Sequence, residues 1–444
     1  MTSSDFKQHA LNLAQALEPQ DALQASAILQ ALRERGAEEF ARSDWPGRKT
    51  EQWKYTSLLS MQDYASAGWA APKAALPPTA ALADIAQTDA TKLFFVDGAF
   101  NVEASDALPA GVTFFSQADE SASAVLKNYL GSIAAGVDAS RRNLFTSLNN
   151  AWLSEGVLVH VARDAALDKP LYFVHLSSAS LTSQTVANQR LLVVLEQGAS
   201  AQIIEHFLSA DDASSGFVNG LTEIQVGQNA RLHHTRLHLE HEASSHIGAV
   251  HINLQRDSVV EAFTLAEGSK LKRIDYQMNH CGPGAHLTLN GVYLARHQQL
   301  VDYHTTIEHR VPHCTSQEVF RGIVGDKAKA VFNGRIHIHK DAQKTLAELN
   351  NRNLLTSNSA EVDTKPELEI YADDVRCAHG ATISQLDETS MYYLQSRGID
   401  TAQARMMLSY GFINEVMSAL PHKIVLELLQ THLRARFIEE SSVE

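Results

Sequence analysis

The sequence predicts a mainly β chain whose core is a parallel β-helix, a solenoid flanked by N-terminal and C-terminal helical regions. Three observations carry this expectation. Short β-rich runs follow one another from Val157 to about Ile383 with no helix-length pattern between them. Turn residues recur along that stretch at a short, nearly fixed spacing. The segments on either side carry apolar residues at helical spacing instead.

The predicted strands begin with Val157–Val161, Leu171–Leu176, Leu191–Leu195, Ala201–Phe207 and Leu221–Val226. Turn signals fall at Gly198, Gly227, Arg256-Asp257, Gly268, Gly284, His297, Asp326 and Asp341. The first two intervals are 29 residues, and the later ones (12, 16, 13, 29 and 15) are close to halves or wholes of that length. Strands at such a period without crossover helices suit a coil in which each turn stacks its apolar face on the next. A β-sandwich would need hairpins with Asn-Gly or Asp-Gly turns every 8–12 residues, and these are scarce. Such a coil needs covered ends, and the flanking helices are expected to be its caps.

The flanks divide the rest. Residues 1–60 are expected to be helical, with stripes at Phe6, Leu13, Leu17 and at Leu23, Ala27, Ile28–Leu32. They end in Trp45-Pro46-Gly47-Arg48-Lys49 and Glu51-Gln52-Trp53-Lys54-Tyr55-Thr56, read as a packed turn with snorkelling basic stems rather than a nucleic-acid platform. Residues 61–150 form a mixed region with an Ala- and Pro-rich linker (Ala70-Ala71-Pro72, Leu76-Pro77-Pro78), a strand at Lys92–Val96, a turn at Asp97-Gly98, and helices at Ala124–Ala135 and Asn143–Leu153. The β-helix takes 151–383. Residues 384–444 are helical, with stripes at Leu408, Phe412, Val416, Leu420, at Ile424, Leu428 and at Val425, Leu429, Leu433, Phe437, and with Pro421 suited to a first helical turn. That wide apolar face must pack on the β-domain or on a partner.

Composition narrows the function classes. The 444 residues exceed one core's usual size, 44% are hydrophobic and 20% charged, and the formal charge is -14. An acidic chain is a poor partner for nucleic acid or an anionic membrane. Cys281, Cys314 and Cys377 are odd in number and widely spaced, so they form no disulfide framework and point to a reducing compartment. The opening Met1-Thr2-Ser3-Ser4-Asp5-Phe6 lacks a secretory pattern, and the longest aliphatic run, Leu191–Leu195, is too short to cross a bilayer. A cytoplasmic protein is expected.

Familiar enzyme signatures fail. Gly322-Ile323-Val324-Gly325-Asp326-Lys327 breaks the phosphate-loop spacing, Gly282-Pro283-Gly284 is no dinucleotide fingerprint, and no GxSxG elbow occurs. His241 and His246 lie five apart, one too many for a zinc-protease helix. No catalytic role and no ATP site of its own is expected. His233, His234, His238 and the pair His337/His339 lie in strand-like runs, where alternate residues share a face. A same-face pair can bind a metal, but two nitrogens show no third ligand, so these are read as solvated or core-satisfied rather than as a metal site. Lys327, Lys329, Arg335, Lys340 and Lys344 are read as solvated strand edges.

The densest chemistry is Arg376-Cys377-Ala378-His379-Gly380. On a strand, Cys377 and His379 project to the same face. Thiolate and imidazole suit iron–sulfur or zinc ligation, but two ligands leave a tetrahedral site half empty. The pair is either half of a metal site or a buried cysteine beside a structural histidine.

Around that pair, Asn353-Leu354-Leu355, Asp363-Thr364-Lys365-Pro366-Glu367-Leu368-Glu369-Ile370, Cys377-Ala378-His379-Gly380-Ala381-Thr382 and Tyr393-Leu394-Gln395-Ser396-Arg397-Gly398-Ile399 together resemble the SufB/SufD family, with Gly334-Arg335-Ile336-His337-Ile338 and Ala342-Gln343-Lys344-Thr345 upstream. These are scaffold subunits of the bacterial Suf system for iron–sulfur cluster assembly, and the resemblance covers roughly residues 150 to 440. Glu51-Gln52-Trp53-Lys54-Tyr55-Thr56 resembles the SufD branch, and no cysteine precedes Cys281, whereas many SufB chains carry an N-terminal cluster. The resemblance implies a right-handed parallel β-helix and a complex with SufB through the β-helix and with the SufC ATPase through the C-terminal helices. It also implies an indirect link to the cysteine desulfurase system, ATP bound by SufC and a link to reduced flavin in the complex, although the sequence carries no flavin motif; whether the chain alone forms a homodimer is left open. By the same resemblance, His379, with Cys377 beside it, holds a transient iron–sulfur cluster or iron shared with SufB, and the chain takes part in iron acquisition. The alternatives are a SufB-like primary scaffold and, remotely, a β-helix polysaccharide enzyme, which needs a carboxylate series at the strand period that is not evident.

Overall fold

The computed structural model describes residues 3–17, 24–70, 76, 79–135, 143–420 and 423–442. Ala71-Pro72 and Pro77-Pro78 of the expected linker, and Pro421, lie outside them.

From Val157 to Gln385 the chain coils through about eight turns, each giving one strand to each of two parallel sheets. The first sheet stacks Val157–Val161, Thr185–Leu195, Phe217–Val226, Ser245–Leu254, Leu271–His280, Leu300–His309, Lys329–Ile338 and Glu361–Ile370. The second stacks Leu171–Ser177, Ser200–Ser209, Arg231–Leu239, Val259–Glu267, His286–Ala295, Thr315–Val324, Leu346–Leu355 and Arg376–Gln385. Leu300 lies opposite Lys329, 29 residues on, and other turns run from 26 residues (Ser245 to Leu271) to 34 (Val157 to Leu191), so the interval read from the turn residues is close to a typical turn of the coil.

The corners explain that period. A positive φ recurs once per turn at Asp164, Gly198, Asn229, Asp257, Gly284, His313 and Lys344, and on a second corner at His297 and Asp326. The left-handed conformation is open to glycine and comparatively tolerated by Asn, Asp and His, which limits what these positions accept. The corners are also bonded in a ladder: Asp164 N–H donates to Gln197 O, Gly198 to Gln228, Asn229 to Arg256 and Asp257 to Pro283, at 2.8–3.0 Å. Gly227 and Gly268 are corner residues too, without positive φ.

The lumen holds one continuous apolar column set, including Val193, Ile224, Ile252, Met278, Ile307 and Ile336. Strands covered on both sides read as unbroken apolar or buried runs: in Phe217–Val226 every residue is buried.

The helices cover the sheets' flanks rather than the ends, which corrects the expectation that they cap the coil. Helices Ser3–Gln15, Gln24–Arg42 and Leu144–Ala151, with the turn around Trp53, pack on the outer face of the first sheet through Phe6, Phe40, Phe145 and Trp152 against Val186, Phe217, Ile247 and Leu271. Trp53 is buried beneath the Arg273 guanidinium, 3.8 Å from its ring centre, so the aromatic–basic turn is packed. Helices Thr401–Ser418 and Lys423–Ser442 lie on the outer face of the second sheet. There Ile413, Val416, Leu420, Val425, Leu429, Leu433 and Phe437 meet Leu237, Leu265, Val292, Ile323 and Leu354. Ion pairs pin them: Arg436 and His432 to Glu267 at 2.6 and 2.8 Å, and Arg321 to Glu415 at 3.2 Å. The wide C-terminal apolar face is therefore largely used within the chain. No helix among the described residues is long and apolar enough to cross a membrane.

The two ends of the coil differ. At the N-terminal end the sheets stop in short antiparallel pieces, Val112–Phe114 beside Val157–Val161 and the hairpin Thr91–Val96/Ala99–Phe100 beside Leu171–Ser177. Phe95, Phe100, Phe114 and Phe173 stack there, with ring centres 4.8–6.4 Å apart. At the other end, Glu361–Ile370 and Arg376–Gln385 are ten-residue parallel strands, each paired on one side only, with no buried residue in either.

Candidate functional site

Cys377 and His379 lie on the last strand of the coil, and both face its lumen. Cys377 is in register with Ala347, and His379 with Leu349, and both of these neighbours belong to the interior core. The columns beneath them run Leu287, Ser316, Ala347, Cys377 and Leu289, Glu318, Leu349, His379. The sequence spacing thus puts the pair on one face as expected, and pairing makes that face the inner one. Because no ninth turn stacks on this end, Cys377 is only half-buried and His379 is exposed. The His379 ring has no side-chain partner among the described residues and borders a groove with Gln317, Glu348 and Asn350.

Partial burial pushes the Cys377 thiol up from its ordinary value, so the isolated chain keeps it protonated and a metal must displace that proton to bind. Deeper in the His379 column, Glu318 is fully buried with no ion-pair partner among the described residues, and burial pushes its carboxyl up to about 8. Cys281 and Cys314 are free thiols raised by burial; Cys314 is buried, with its Sγ 3.4 Å from the Gly282 carbonyl. Neither Cys377 nor His379 meets a third His, Cys, Asp or Glu at metal-binding distance among the described residues. The two-ligand deficit seen in the sequence persists in the folded chain.

Many of the other histidines are buried but only partly hydrogen-bonded: several ring nitrogens, including both of His251, have no hydrogen-bond partner among the described residues. The expectation that they are solvated or core-satisfied therefore holds only in part, and two groupings appear that linear spacing does not reveal. His234 bonds Glu205 at 2.8 Å, both fully buried. His246 does not act with His241 but meets His238 and Glu240: His246 Nδ1 lies 2.5 Å from one Glu240 oxygen and the Lys272 ammonium 2.8 Å from the other. On the outer face of the first sheet, His337 Nδ1 and His339 Nε2 both lie on Glu308 Oε2, at 2.8 and 2.7 Å. Sequence reasoning misses Glu308 because it stands 29 residues before His337; one coil period places them side by side. Arg335 is not a solvated edge residue: it is buried, donating to Glu308 at 2.6 Å and bidentately to Glu369 at 2.8 and 2.7 Å. Lys329 is held by Glu361 and Asp363 at 2.6 and 2.7 Å.

Comparison with known proteins decides the family. A family model described as "SUF system FeS cluster assembly, SufBD core domain" matches residues 176–412, and one for the "SufBD protein N-terminal region" matches residues 7–173. The chain belongs to the SufBD family. It is of the SufD type, since it is 33% identical over 390 residues to the iron-sulfur cluster assembly protein SufD of Escherichia coli, covering 86% of this chain and 87% of that protein. It is also 31% identical over 421 residues to an iron-sulfur cluster assembly SufBD family protein of Synechocystis (92% and 90% covered), and 29% identical over 440 residues to the chloroplastic protein ABCI7 of Arabidopsis thaliana (96% and 90% covered). As a SufBD-family chain it is an iron–sulfur cluster assembly protein with a parallel β-helix fold.

Proposed function

We propose that this SufBD-family chain is a non-catalytic scaffold whose open end joins SufB, so that a nascent cluster forms between the two β-helices. The observation that carries the proposal is the placement of Cys377 and His379 on the lumen face of an uncovered last turn. In a parallel edge strand, alternate N–H and C=O groups point away from the neighbour, which offers a row of donors and acceptors to another strand. A second coil docked end to end would continue both sheets, bury Ile370, Tyr371 and Ile383, which are 42%, 62% and 48% exposed, and supply the missing ligands. A second copy of this chain could take that position when SufB is absent.

For the ATPase partner SufC, helix Glu388–Ser396 is a better surface than the stripe after Leu408. None of its residues is buried, and Tyr392 and Tyr393 are 73% and 57% exposed, with Met407 on the next helix at 47%. ATP bound by SufC would then bias the SufB contact through a helix that adjoins the last strand. Within the complex the residues of this chain position and hold iron, sulfide or cluster, which are cargo. Reconstitution of the three-protein complex tests the assignment: His379→Ala should leave the chain folded and the complex assembled but abolish cluster formation. Normal cluster yield from that variant would remove His379 from the site.

A further inference from the structure

A second metal-capable group lies on the outside of the coil, away from the lumen pair. Glu308 and His337 are in register on neighbouring strands, and His339 follows at the end of the same strand as His337. Their ligand atoms converge on one point: His337 Nδ1 and His339 Nε2 both contact the same carboxylate oxygen, and all three atoms lie within 4.8 Å of one another. Two imidazoles and one carboxylate converging on one point form a donor set suited to a divalent first-row cation.

The surroundings support a ligand set rather than an ordinary ion pair. Arg335 takes the other Glu308 oxygen at 2.6 Å, which orients the carboxylate and leaves Oε2 to the imidazoles. That guanidinium is shared with Glu369, which it grips through both oxygens, so it does not neutralise Glu308 alone. The His337 ring is backed by the edge of Tyr371, with centroids 5.4 Å apart. Access is graded: the side chains of Glu308, His337 and His339 are 12%, 18% and 40% exposed, so the group opens to solvent on the His339 side. By contrast, His238, Glu240 and His246 are wholly buried and Lys272 already holds Glu240, so that group offers a cation neither entry nor charge.

We propose that Glu308, His337 and His339 form a solvent-accessible site for one divalent first-row cation, at the second and third strands of the first sheet from the open end of the coil. Binding replaces two N–H···O bonds with three coordinate bonds. A proton on a ligating ring nitrogen moves to the other ring nitrogen, or leaves to solvent where both carry one, and no electron is transferred. The choice of ferrous iron among these cations rests on the cluster-assembly reading above, whereas the site itself does not.

The test uses the full chain, without partners, titrated with Co(II) as a spectroscopic probe and then with Fe(II) under anaerobic conditions. One Co(II) per chain with ligand-field bands is expected. His339→Ala and Glu308→Gln should each weaken Kd by well over about 100-fold, beyond the roughly 10–100-fold typical of lost outer-shell partners. His339 is the more exposed residue, so its variant keeps the test readable if Glu308→Gln perturbs the Arg335 pairs. Cys377→Ala/His379→Ala should bind Co(II) as the wild type does, which separates this site from the lumen pair. No stoichiometric Co(II) binding, or binding unchanged in His339→Ala, overturns the site; Co(II) binding without Fe(II) binding overturns the choice of iron.

Discussion

The two ends of the coil solve the same problem in opposite ways. Any stack of parallel strands ends in an unpaired edge and an uncovered layer of core. At the N-terminal end the edge strands shrink to two or three residues and turn antiparallel, and four phenylalanines pack over the end of the lumen beside a cavity of about 350 Å³ that they line. At the C-terminal end two ten-residue strands stop with their outer edges free, and the last residues of two lumen columns are a thiol and an imidazole instead of apolar side chains. The N-terminal end is covered by aromatic side chains of the chain itself. The open end leaves two strand edges and two polar column ends uncovered, as the proposed joint to SufB requires.

The largest expected effect tests the closed end. Phe173→Ala should cost the isolated chain about 3–5 kcal/mol in urea unfolding, because a fully buried ring would leave a cavity. Ile383→Ala at the open end should cost about 1 kcal/mol or less, since that side chain is already 48% exposed. Equal losses would erase the contrast between the ends.

The next effect concerns Glu318, in the lumen column below His379. Its folded carboxyl titrates near 8 against 4.5 for an ordinary glutamate, so the folded state resists ionisation. Below about pH 4.5 the group is protonated in both states and contributes nothing. As pH rises toward 8, only the unfolded chain releases the proton, and stability falls across that window. Glu318→Gln should therefore match the wild type at pH 4 and exceed it by a few kcal/mol at pH 9, since each tenfold difference in proton affinity between the folded and unfolded chain is worth about 1.4 kcal/mol. Thermal unfolding at both pH values measures this, and an unchanged difference between them would mean that the carboxyl is not held neutral.

Much of this contrast is legible in the sequence, but unevenly. The coil is readable because Gly198, Asp257, Gly284, His297 and Asp326 sit at left-handed corners, where few residue types are tolerated and the signal repeats with the turn. The C-terminal stripes are readable too, but not their destination. Val425, Leu429, Leu433 and Phe437 would look the same facing a partner, and only the apolar outer face of the second sheet shows that they are used within the chain. Spacing places Cys377 and His379 on one face, whereas that this face is the lumen depends on their alignment with Ala347 and Leu349. Arg335 passes for a solvated edge residue because both of its carboxylates, Glu308 and Glu369, lie about one turn away in sequence and therefore look remote.

A smaller effect is expected on the exposed helix beside the open end. Tyr392→Ala should change stability by no more than about 0.5 kcal/mol, because the ring is 73% exposed, while reducing co-purification of the SufC ATPase. Undiminished co-purification would move the ATPase contact elsewhere.

Hydrogen–deuterium exchange on the isolated chain, at a concentration where native mass shows a monomer, and then on the complex with SufB and SufC, tests the central claim most directly. Amides of Glu361–Ile370 and Arg376–Gln385 that face away from their neighbours should exchange quickly in the isolated chain and slow by at least about tenfold in the complex. Val112–Phe114 and Ala99–Phe100 should not change. If the last two strands exchange equally fast in both states, the open end is not the joint, and Cys377 and His379 do not lie at a shared site.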